Sequence, residues 1–178
     1  MPMRRLILLR HGKSDWPAGV RDLERPLAKR GRKASSLMGA HLAENGLVPD
    51  LALVSPALRA RQTWELAQAA FPREIAQRGE PRIYEASARA ILGVIAETAP
   101  EVRTLLLVGH NPGLHELART LIGAGKPSDL TQLGRKYPSA GLVVIDFDIG
   151  EWGKAAAGLG QLERFETPAS LGDPAGDD

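Results

Sequence analysis

Arginine and histidine side chains follow several short apolar runs of this sequence. Arg10 and His11 come directly after one such run, and His110 comes after another run and a single glycine. Arg59 lies near the start of a segment of helical character that follows a third run. A guanidinium group binds phosphate oxygens through a fork of N–H donors, and a histidine can attack phosphorus as a nucleophile. If these chain segments meet, their residue types predict phosphoryl chemistry.

Arg59 is informative because of its predicted position on a helix. Ser55 and Pro56 resemble an N-cap hydroxyl followed by a proline at the first helical position, which places Arg59 in the first turn. A cation there opposes the helix macrodipole at a cost of about 0.3 to 1 kcal/mol, so a bound anion would compensate. The alternative is a surface arginine paired with a glutamate. Arginine and histidine at other predicted strand ends favour the anion site.

Two other kinds of site are not favoured by the spacing. His110 and His115 are five residues apart, so they do not share one helical face, and neighbouring arginines would repel a zinc ion. The segment 12–14 reads Gly-Lys-Ser, like the end of a phosphate-binding P-loop, but Ile7 stands where that loop needs its first glycine. Neither a metal nor a cofactor is therefore expected.

The elements that must position these side chains alternate between strand and helix. Such alternation predicts an α/β fold of three layers, with a mainly parallel central sheet and helices on both faces. Ligands of such sheets bind outside the carboxyl ends of the strands, where the charged residues stand. The predicted strands are 6–9, 51–54, 104–108 and 142–147, with a short strand at 81–84 and a last one, possibly an antiparallel edge strand, at 161–166. The predicted helices are 29–45, 55–70, 88–98 and 113–122.

Length and composition fit one globular domain. The chain has 178 residues, of which 43% are hydrophobic and 25% charged, and we expect a single domain over 1–170 with a disordered tail at 171–178. A net charge of +2 is too small to indicate nucleic acid as the main partner. No apolar run approaches the roughly 20 residues of a membrane span, and no signal-peptide core precedes the first strand. A cytoplasmic protein is the expectation.

Four pieces of the sequence resemble the histidine phosphatase superfamily, which includes phosphoglycerate mutases and acid phosphatases. They are "LRHGKS" at 9–14, "VSPALRARQT" at 54–63, "YEA" at 84–86 and "VGHNPG" at 108–113, in the order that the family has them. The resemblance implies that His11 is the catalytic nucleophile that becomes phosphorylated. It further implies that Arg10, Arg59 and His110 complete the phosphate pocket, and that Glu85 occupies the position of a proton donor. Gly12 would let the backbone approach the phosphate.

Within that superfamily the chain resembles the short SixA-type phosphohistidine phosphatases. The segment "DLERPLAKRGRKAS" at 22–35 is similar to theirs, and only a short stretch separates the second predicted helix from Glu85, where larger members carry insertions that cover the site. An uncovered site suits a protein substrate, and the resemblance implies phosphohistidine in a histidine phosphotransfer domain. The alternatives are a small-molecule phosphomonoesterase and a non-catalytic phosphate-binding or phosphoprotein-binding module.

One departure from the pattern concerns a phosphate contact. Mutase-like members have an asparagine six residues after the nucleophile, and Pro17 stands there, which argues against mutase activity. Glu85 keeps ordinary phosphomonoesters as an alternative substrate, because an alcohol leaving group needs a proton donor, whereas a protonated phosphohistidine needs little help. The possible rim residues are Lys13, Ser14 and Arg25, with Arg30 as a further candidate; solvated loop positions and ion pairs with Asp22 or Glu24 are the alternatives.

Overall fold

The computed structural model describes residues 3–178, which form a seven-stranded sheet covered by helices on both faces. The strands are β1 (Met3–Arg10), β2 (Leu51–Val54), β3 (Ala76–Gly79), β4 (Thr104–Gly109), β5 (Ile122–Gly125), β6 (Leu142–Asp148) and β7 (Gly160–Glu166). The helices are α1 (Lys29–Glu44), α2 (Leu58–Gln68), α3 (Ala88–Ala96), α4 (Gly113–Leu121) and α5 (Pro127–Arg135). Short 3-10 turns lie at Asp22–Glu24, Pro81–Ile83 and Trp152–Lys154.

Successive residues of β1 pack alternately into two separate hydrophobic cores. Leu6 and Leu8 pack with α3, α4 and α5, whereas Ile7 and Leu9 pack with α1 and α2 on the opposite face. All four side chains are fully buried. Because strand side chains alternate between faces, a strand that is apolar at every position must be covered on both sides. This confirms the predicted three-layer α/β fold.

The strands run in the order β3-β2-β4-β1-β6-β7-β5. Four of the six neighbouring pairs are parallel, and β6 pairs antiparallel with both β1 and β7. The sheet is therefore mainly parallel, as predicted. At the carboxyl edge, Arg10 is in register with Gly109 and Val54 with Val108, so β1, β4 and β2 end side by side. That alignment is what brings their following residues together.

Some elements differ from the sequence prediction. The last strand is antiparallel to β6 but is not the sheet edge, because β5 pairs with its other side. Residues 81–84 were predicted as a short strand, and this is wrong. Glu80 accepts a hydrogen bond from the Arg82 backbone N–H and closes a 3-10 turn there, while the edge strand β3 lies just before it. The strand β5 and the helix α5 were not predicted.

Neither α2 nor α4 has a side-chain cap at its start, so the predicted Ser55-Pro56 cap is absent. Helix α2 begins at Leu58, two residues later than predicted, and its N-cap is Ala57. The hydroxyl of Ser55 still accepts a hydrogen bond from the Ala57 N–H at 3.3 Å, but it also contacts His110. Helix α4 begins after Pro112, and the preceding asparagine side chain points to another loop. Ser55 and Asn111 therefore make hydrogen bonds next to the ends of β2 and β4 instead of capping helices.

The tail at 171–178 forms no helix or strand. It is a series of turns folded against α1 and the loop before β6, and Leu171 packs on the core of α1 and α2. Asp173 is buried, and Arg30 donates a hydrogen bond to the carbonyl of Ala175 at 3.1 Å. Contacts from distant parts of the chain place this segment, which has no apolar periodicity of its own. None of the helices within residues 3–178 is long and apolar enough to cross a membrane.

Candidate active site

His11 lies at the end of β1 and is held by both its backbone and its ring. Its N–H donates to the carbonyl of Gly109 at 3.2 Å, continuing the β1–β4 ladder by one residue. Its Nδ1 lies 2.8 Å from the carbonyl oxygen of Gly12. Because a carbonyl can only accept, Nδ1 carries the proton, and in the neutral ring Nε2 keeps a free lone pair. The side chain is thereby arranged as a nucleophile.

The surroundings of His11 keep its imidazole neutral. Burial lowers its pKa to about 3, and the nearby His110, Arg10 and Arg59 act in the same direction, while the hydrogen bond to Gly12 opposes them. Only 8% of the residue is exposed. A protonated ring would have no lone pair at Nε2, so the environment maintains the reactive form at neutral pH.

His110 follows β4 and faces His11. The two ring centroids are 5.1 Å apart, and Nε2 of His110 lies 2.7 Å from the Ser55 hydroxyl. Burial lowers the pKa of His110 to about 4, assisted by Arg59 and Arg10 and opposed by Asp22. Its Nδ1 is buried and has no hydrogen-bond partner among residues 3–178. If the Ser55 hydroxyl donates to Nε2, Nδ1 carries a proton and can donate to an oxyanion in the cavity.

The half-buried Arg10 and the buried Arg59 supply the positive charge. Arg10 donates from Nη1 to the carbonyl of Tyr137 at 3.1 Å, and its buried Nε has no partner within the described part of the chain. Arg59, on the first turn of α2 as predicted, donates from Nη1 to the backbone carbonyl of Asp22 at 2.7 Å. Burial lowers the pKa of Arg10. A buried guanidinium N–H without a partner, as at Nε of Arg10, is a donor that a phosphoryl oxygen would satisfy.

Asp22 and Tyr84 form a contact that the sequence did not predict. The Tyr84 hydroxyl donates to Asp22 Oδ2 at 2.5 Å, and the same oxygen lies 3.1 Å from Nη2 of Arg59. This arrangement lowers the pKa of Asp22 to about 2, chiefly through the Tyr84 hydrogen bond, and raises the pKa of Tyr84 to about 12. The charged carboxylate therefore orients Arg59. Arg25 pairs with Oδ1 of Asp22 at 3.1 Å, which is the ion pair predicted as the alternative to a role at the rim.

One cavity collects most of the predicted site residues. It is open to solvent, and its walls continue to Asn111, Ser139 and Asp178. Lys13 and Arg25 stand at its rim, where Ser14 accepts a hydrogen bond from Arg25 at 2.8 Å. Arg30 is not among the lining residues, because its guanidinium contacts the tail. The predicted residues that line the cavity are Arg10, His11, Lys13, Ser14, Arg25, Arg59 and His110.

Glu85 lies outside that cavity, in an adjoining groove. The groove shares Arg59, His110 and Asn111 with the cavity, so the carboxylate approaches the phosphate-binding residues from the side. Glu85 is exposed, and its backbone has φ of +53°, a conformation that non-glycine residues adopt at a cost. The residue after Glu85 packs closely against the start of α4, since a Cβ on Gly113 would lie only 2.3 Å from the carbonyl oxygen of Ala86. Glu85 thus lies beside Arg59 and His110 without lining the cavity that contains His11.

The loop after His11 is fixed by close backbone packing. A Cβ on Gly12 would lie 2.7 Å from the carbonyl oxygen of Gly31, and a Cβ on Gly31 would lie 2.1 Å from that of Lys13. The Gly12 N–H donates to the Thr63 hydroxyl at 3.0 Å. Gly12 therefore allows the approach of α1, which is a different reason from the predicted approach to phosphate.

Further cavity residues come from the loop before β6 and from the tail. Tyr137 is fully buried and does not line the cavity itself; its hydroxyl donates to the Leu8 carbonyl at 2.6 Å, and its own carbonyl accepts from Arg10 and Asn111, which do. Ser139 and Asp178 contact each other at the cavity wall. Sequence reasoning missed these residues, because they lie in loops without periodicity and are far from His11 along the chain. The only available signal was Tyr-Pro-Ser directly before a buried strand.

The arrangement can bind a phosphoryl group and attack it. Arg10, Arg59 and His110 offer donors, and His11 offers a nitrogen lone pair in the same cavity. Within residues 3–178 no group of three or more histidine, aspartate or glutamate side chains is arranged to hold a metal ion.

The sequence matches the model of one protein family. A model of the histidine phosphatase superfamily (branch 1) matches residues 6–102, which include His11, Arg59 and Glu85. An uncharacterized protein of Mycobacterium tuberculosis is 33% identical over 162 residues, covering 90% of this chain and 99% of that protein.

Solved structures agree with the family match. A protein of Agrobacterium tumefaciens, provisionally named as the phosphohistidine phosphatase SixA, is 32% identical with a TM-score of 0.78, covering 93% of this chain and 98% of that one. The protein histidine phosphatase SixA complexed with tungstate has a TM-score of 0.73 at 23% identity, covering 94% and 99%, a likeness of fold alone. Together the family match and the Agrobacterium structure support phosphatase activity.

Proposed function

This chain belongs to the histidine phosphatase superfamily, and from that premise we propose that it removes phosphoryl groups from phosphohistidine on another protein, through a covalent intermediate at His11. The observation that carries the proposal is the state of His11. Its Nδ1 proton is engaged by the Gly12 carbonyl, its ring is held neutral, and Arg10 and Arg59 line the same cavity. A neutral imidazole with its lone pair next to two guanidinium groups is suited to attack a phosphoryl group.

The proposed reaction has two displacements. In the first, Nε2 of His11 attacks phosphorus, the new N–P bond forms, and the bond to the substrate nitrogen breaks. The substrate ring, protonated on its other nitrogen, leaves as neutral imidazole. In the second, water attacks phosphorus, the N–P bond to His11 breaks, inorganic phosphate leaves and the proton of water passes to solvent. The Gly12 carbonyl stabilises the positive charge that the phosphorylated ring carries between the steps.

The rim of the cavity supports a protein substrate. Trp16 is 64% exposed and the Arg25 guanidinium stacks over it at 4.3 Å from the ring centroid. Exposed aromatic and arginine side chains are enriched where proteins bind other proteins. Between α2 and Glu85 the chain forms only the short strand β3 and one 3-10 turn, with no inserted element over the cavity. A phosphohistidine on a folded domain could reach His11 through such an opening, and we propose a histidine phosphotransfer domain as the partner.

The test is phosphate release from a phosphohistidine-bearing phosphotransfer domain, measured with an excess of chelator. We expect turnover by the wild type without added metal, and none by His11→Gln. The control is His41→Gln, because His41 lies on α1 and contacts Asn45 and Arg164 instead of the cavity. Rapid quenching of the wild type is expected to trap acid-labile phosphate on the peptide that contains residue 11. Turnover by His11→Gln equal to that of the wild type would overturn the nucleophile assignment.

A small phosphomonoester is the second candidate substrate, and the position of Glu85 favours it. An alcohol leaving group must take up a proton, and Glu85 borders a groove next to Arg59 and His110 where such a group would lie. The same assay with phenyl phosphate tests this candidate. A higher kcat/KM on phenyl phosphate than on the phosphotransfer domain would select it.

A further inference from the structure

The side chain of Asp178 occupies one wall of the cavity that contains His11. Its carboxylate accepts two hydrogen bonds from Ser139, from the backbone N–H at 3.1 Å and from the hydroxyl at 2.9 Å. The Lys13 ammonium lies 3.4 Å from the same carboxylate. One backbone donor, one hydroxyl and one cation therefore converge on a single anionic group beside the proposed phosphate pocket.

The donors from Ser139 are fixed by the backbone and do not depend on the tail. Ser139 is 7% exposed, and the next residue, Ala140, donates its N–H to the carbonyl of His11 at 3.0 Å. Ala140 has φ of +58°, a left-handed conformation that costs free energy for alanine, and the N–H of Gly141 closes a turn onto Pro138. A strained turn tied to the nucleophile residue keeps the Ser139 N–H facing the cavity, whatever anion is bound there.

The tail that delivers the carboxylate packs on the core at Leu171, but its last residues are held by partly exposed side-chain contacts. Residues 171–178 contain no helix or strand, and the Lys13 side chain that pairs with Asp178 is 47% exposed. Segments held by a few partly exposed hydrogen bonds open more readily than the core does. An incoming phosphoryl group also places negative charge in the same cavity as the carboxylate, and this like-charge repulsion favours release of the tail. The tail can therefore exchange with another anion.

We propose that the Ser139 N–H, the Ser139 hydroxyl and Lys13 form a second anion subsite beside the phosphate pocket, and that the tail carboxylate of Asp178 is its internal occupant. The subsite would bind a second anionic group on the phosphorylated substrate, such as a carboxylate next to the phosphoryl group. The inference rests on the proposed function, because it takes the phosphate pocket as the primary site. The charge of a phosphoryl group weakens the binding of the tail carboxylate, and a substrate with a second anion also replaces that carboxylate at the three donors.

Equilibrium binding measurements test the anion subsite separately from the phosphate pocket. Inorganic phosphate probes the phosphate pocket, and phosphonoacetate, which joins a phosphonate to a carboxylate, probes both positions. In Asp178→Ala we expect the ratio of phosphonoacetate affinity to phosphate affinity to rise about tenfold over the wild-type ratio, since one charged hydrogen-bonded contact becomes available. Lys13→Gln in the Asp178→Ala background should remove most of that rise. Asp177→Ala is the matched control, because Asp177 accepts from the Ala169 N–H in the tail.

The outcomes distinguish failure of the inference from failure of the proposed function. If the wild type binds phosphate but the ratio is the same in all variants, the subsite is wrong and the phosphate pocket stands. If Asp178→Ala lowers only the melting temperature, the carboxylate is a structural contact and the inference is overturned. If the wild type binds neither anion, the phosphate pocket itself fails and the subsite fails with it.

Paired substrates identify the source of the second anion. Two phosphohistidine peptides that differ only by glutamate or glutamine next to the phosphohistidine form one pair, and phenyl phosphate with and without a ring carboxylate forms the other. A severalfold preference for the acidic member, enlarged in Asp178→Ala, is expected in at least one pair and shows which source the subsite accepts. Absence of a preference in both pairs would overturn the assignment of the subsite to substrate.

Discussion

The imidazole rings of His11 and His110 lie 5.1 Å apart at the ends of two parallel strands that are hydrogen-bonded to each other. Both rings have their pKa lowered mainly by burial, to about 3 and about 4. They differ in their hydrogen bonds, because His11 uses Nδ1 to contact a carbonyl and His110 uses Nε2 to contact a hydroxyl. His11 is thus arranged to attack, and His110 is arranged to donate from Nδ1 when the Ser55 hydroxyl donates to its Nε2.

The lowered histidine pKa values predict a loss of stability in acid. Between the folded values and the ordinary 6.5, the unfolded chain binds protons that the folded chain does not. Stability should therefore decrease as the pH falls from about 6.5 towards 4, by up to about 1.4 kcal/mol per pH unit for each histidine. Urea unfolding at pH 7, 6 and 5 measures this slope. The double variant His11→Gln with His110→Gln should have a shallower slope, and equal slopes would contradict the burial argument.

Arg59 is predicted to bind the oxyanion directly. Arg59→Ala removes a charged donor from the cavity and leaves the nearby Asp22 carboxylate without that partner, so tungstate or vanadate affinity should fall by about 10- to 100-fold. Arg61→Ala is the matched control, because Arg61 is on the same helix, is exposed and donates to the Pro56 carbonyl. Calorimetric titration of both variants measures the difference. Equal affinities would remove Arg59 from the pocket.

Glu85 is predicted to act on the leaving group. Glu85→Gln removes the acid, so kcat on phenyl phosphate should fall by about 10²-fold or more, while kcat on phosphohistidine changes little. The difference arises because a protonated imidazole leaves without further protonation. Glu101→Gln, at an exposed carboxylate outside the groove, is the control. A similar loss on both substrates would show that Glu85 does something other than protonate the leaving group.

Gly31 is predicted to fix the loop that follows the nucleophile. A Cβ there would meet the Lys13 carbonyl at 2.1 Å, so Gly31→Ala must displace the backbone and should cost about 1 to 3 kcal/mol of stability as well as activity. Gly93→Ala is the contrasting variant, because Gly93 is exposed on α3 with nothing near its Cβ position. It should gain about 0.5 to 1 kcal/mol from helix propensity. Thermal unfolding of both variants, with phosphate release at one temperature, measures these effects.

Most of the fold could be predicted because its signals are local. The fully apolar runs of β1 and β4 require cover on both faces, and alternation with helices requires parallel crossovers. Edge elements were harder. All residues of β3 are exposed, and its sequence, Ala-Gln-Arg-Gly, has neither alternation nor β-branched side chains. Its pairing with β2 decides its conformation, and that pairing is a long-range contact.

The sequence by itself determined the residue types that can bind phosphate and the strand ends that carry them. Arg10 ends β1, and His11 and His110 follow β1 and β4; a parallel sheet brings such ends to one edge. Only the tertiary structure decided which loops complete the cavity. Asp22 reaches Arg59 and Tyr84, and Ser139 meets Asp178, through contacts between segments that are distant in the chain and carry no periodic pattern. The hydrophobic periodicity of a segment indicates which of its side chains are buried. A contact between two irregular segments has no such local signal, because it depends on how the whole chain folds.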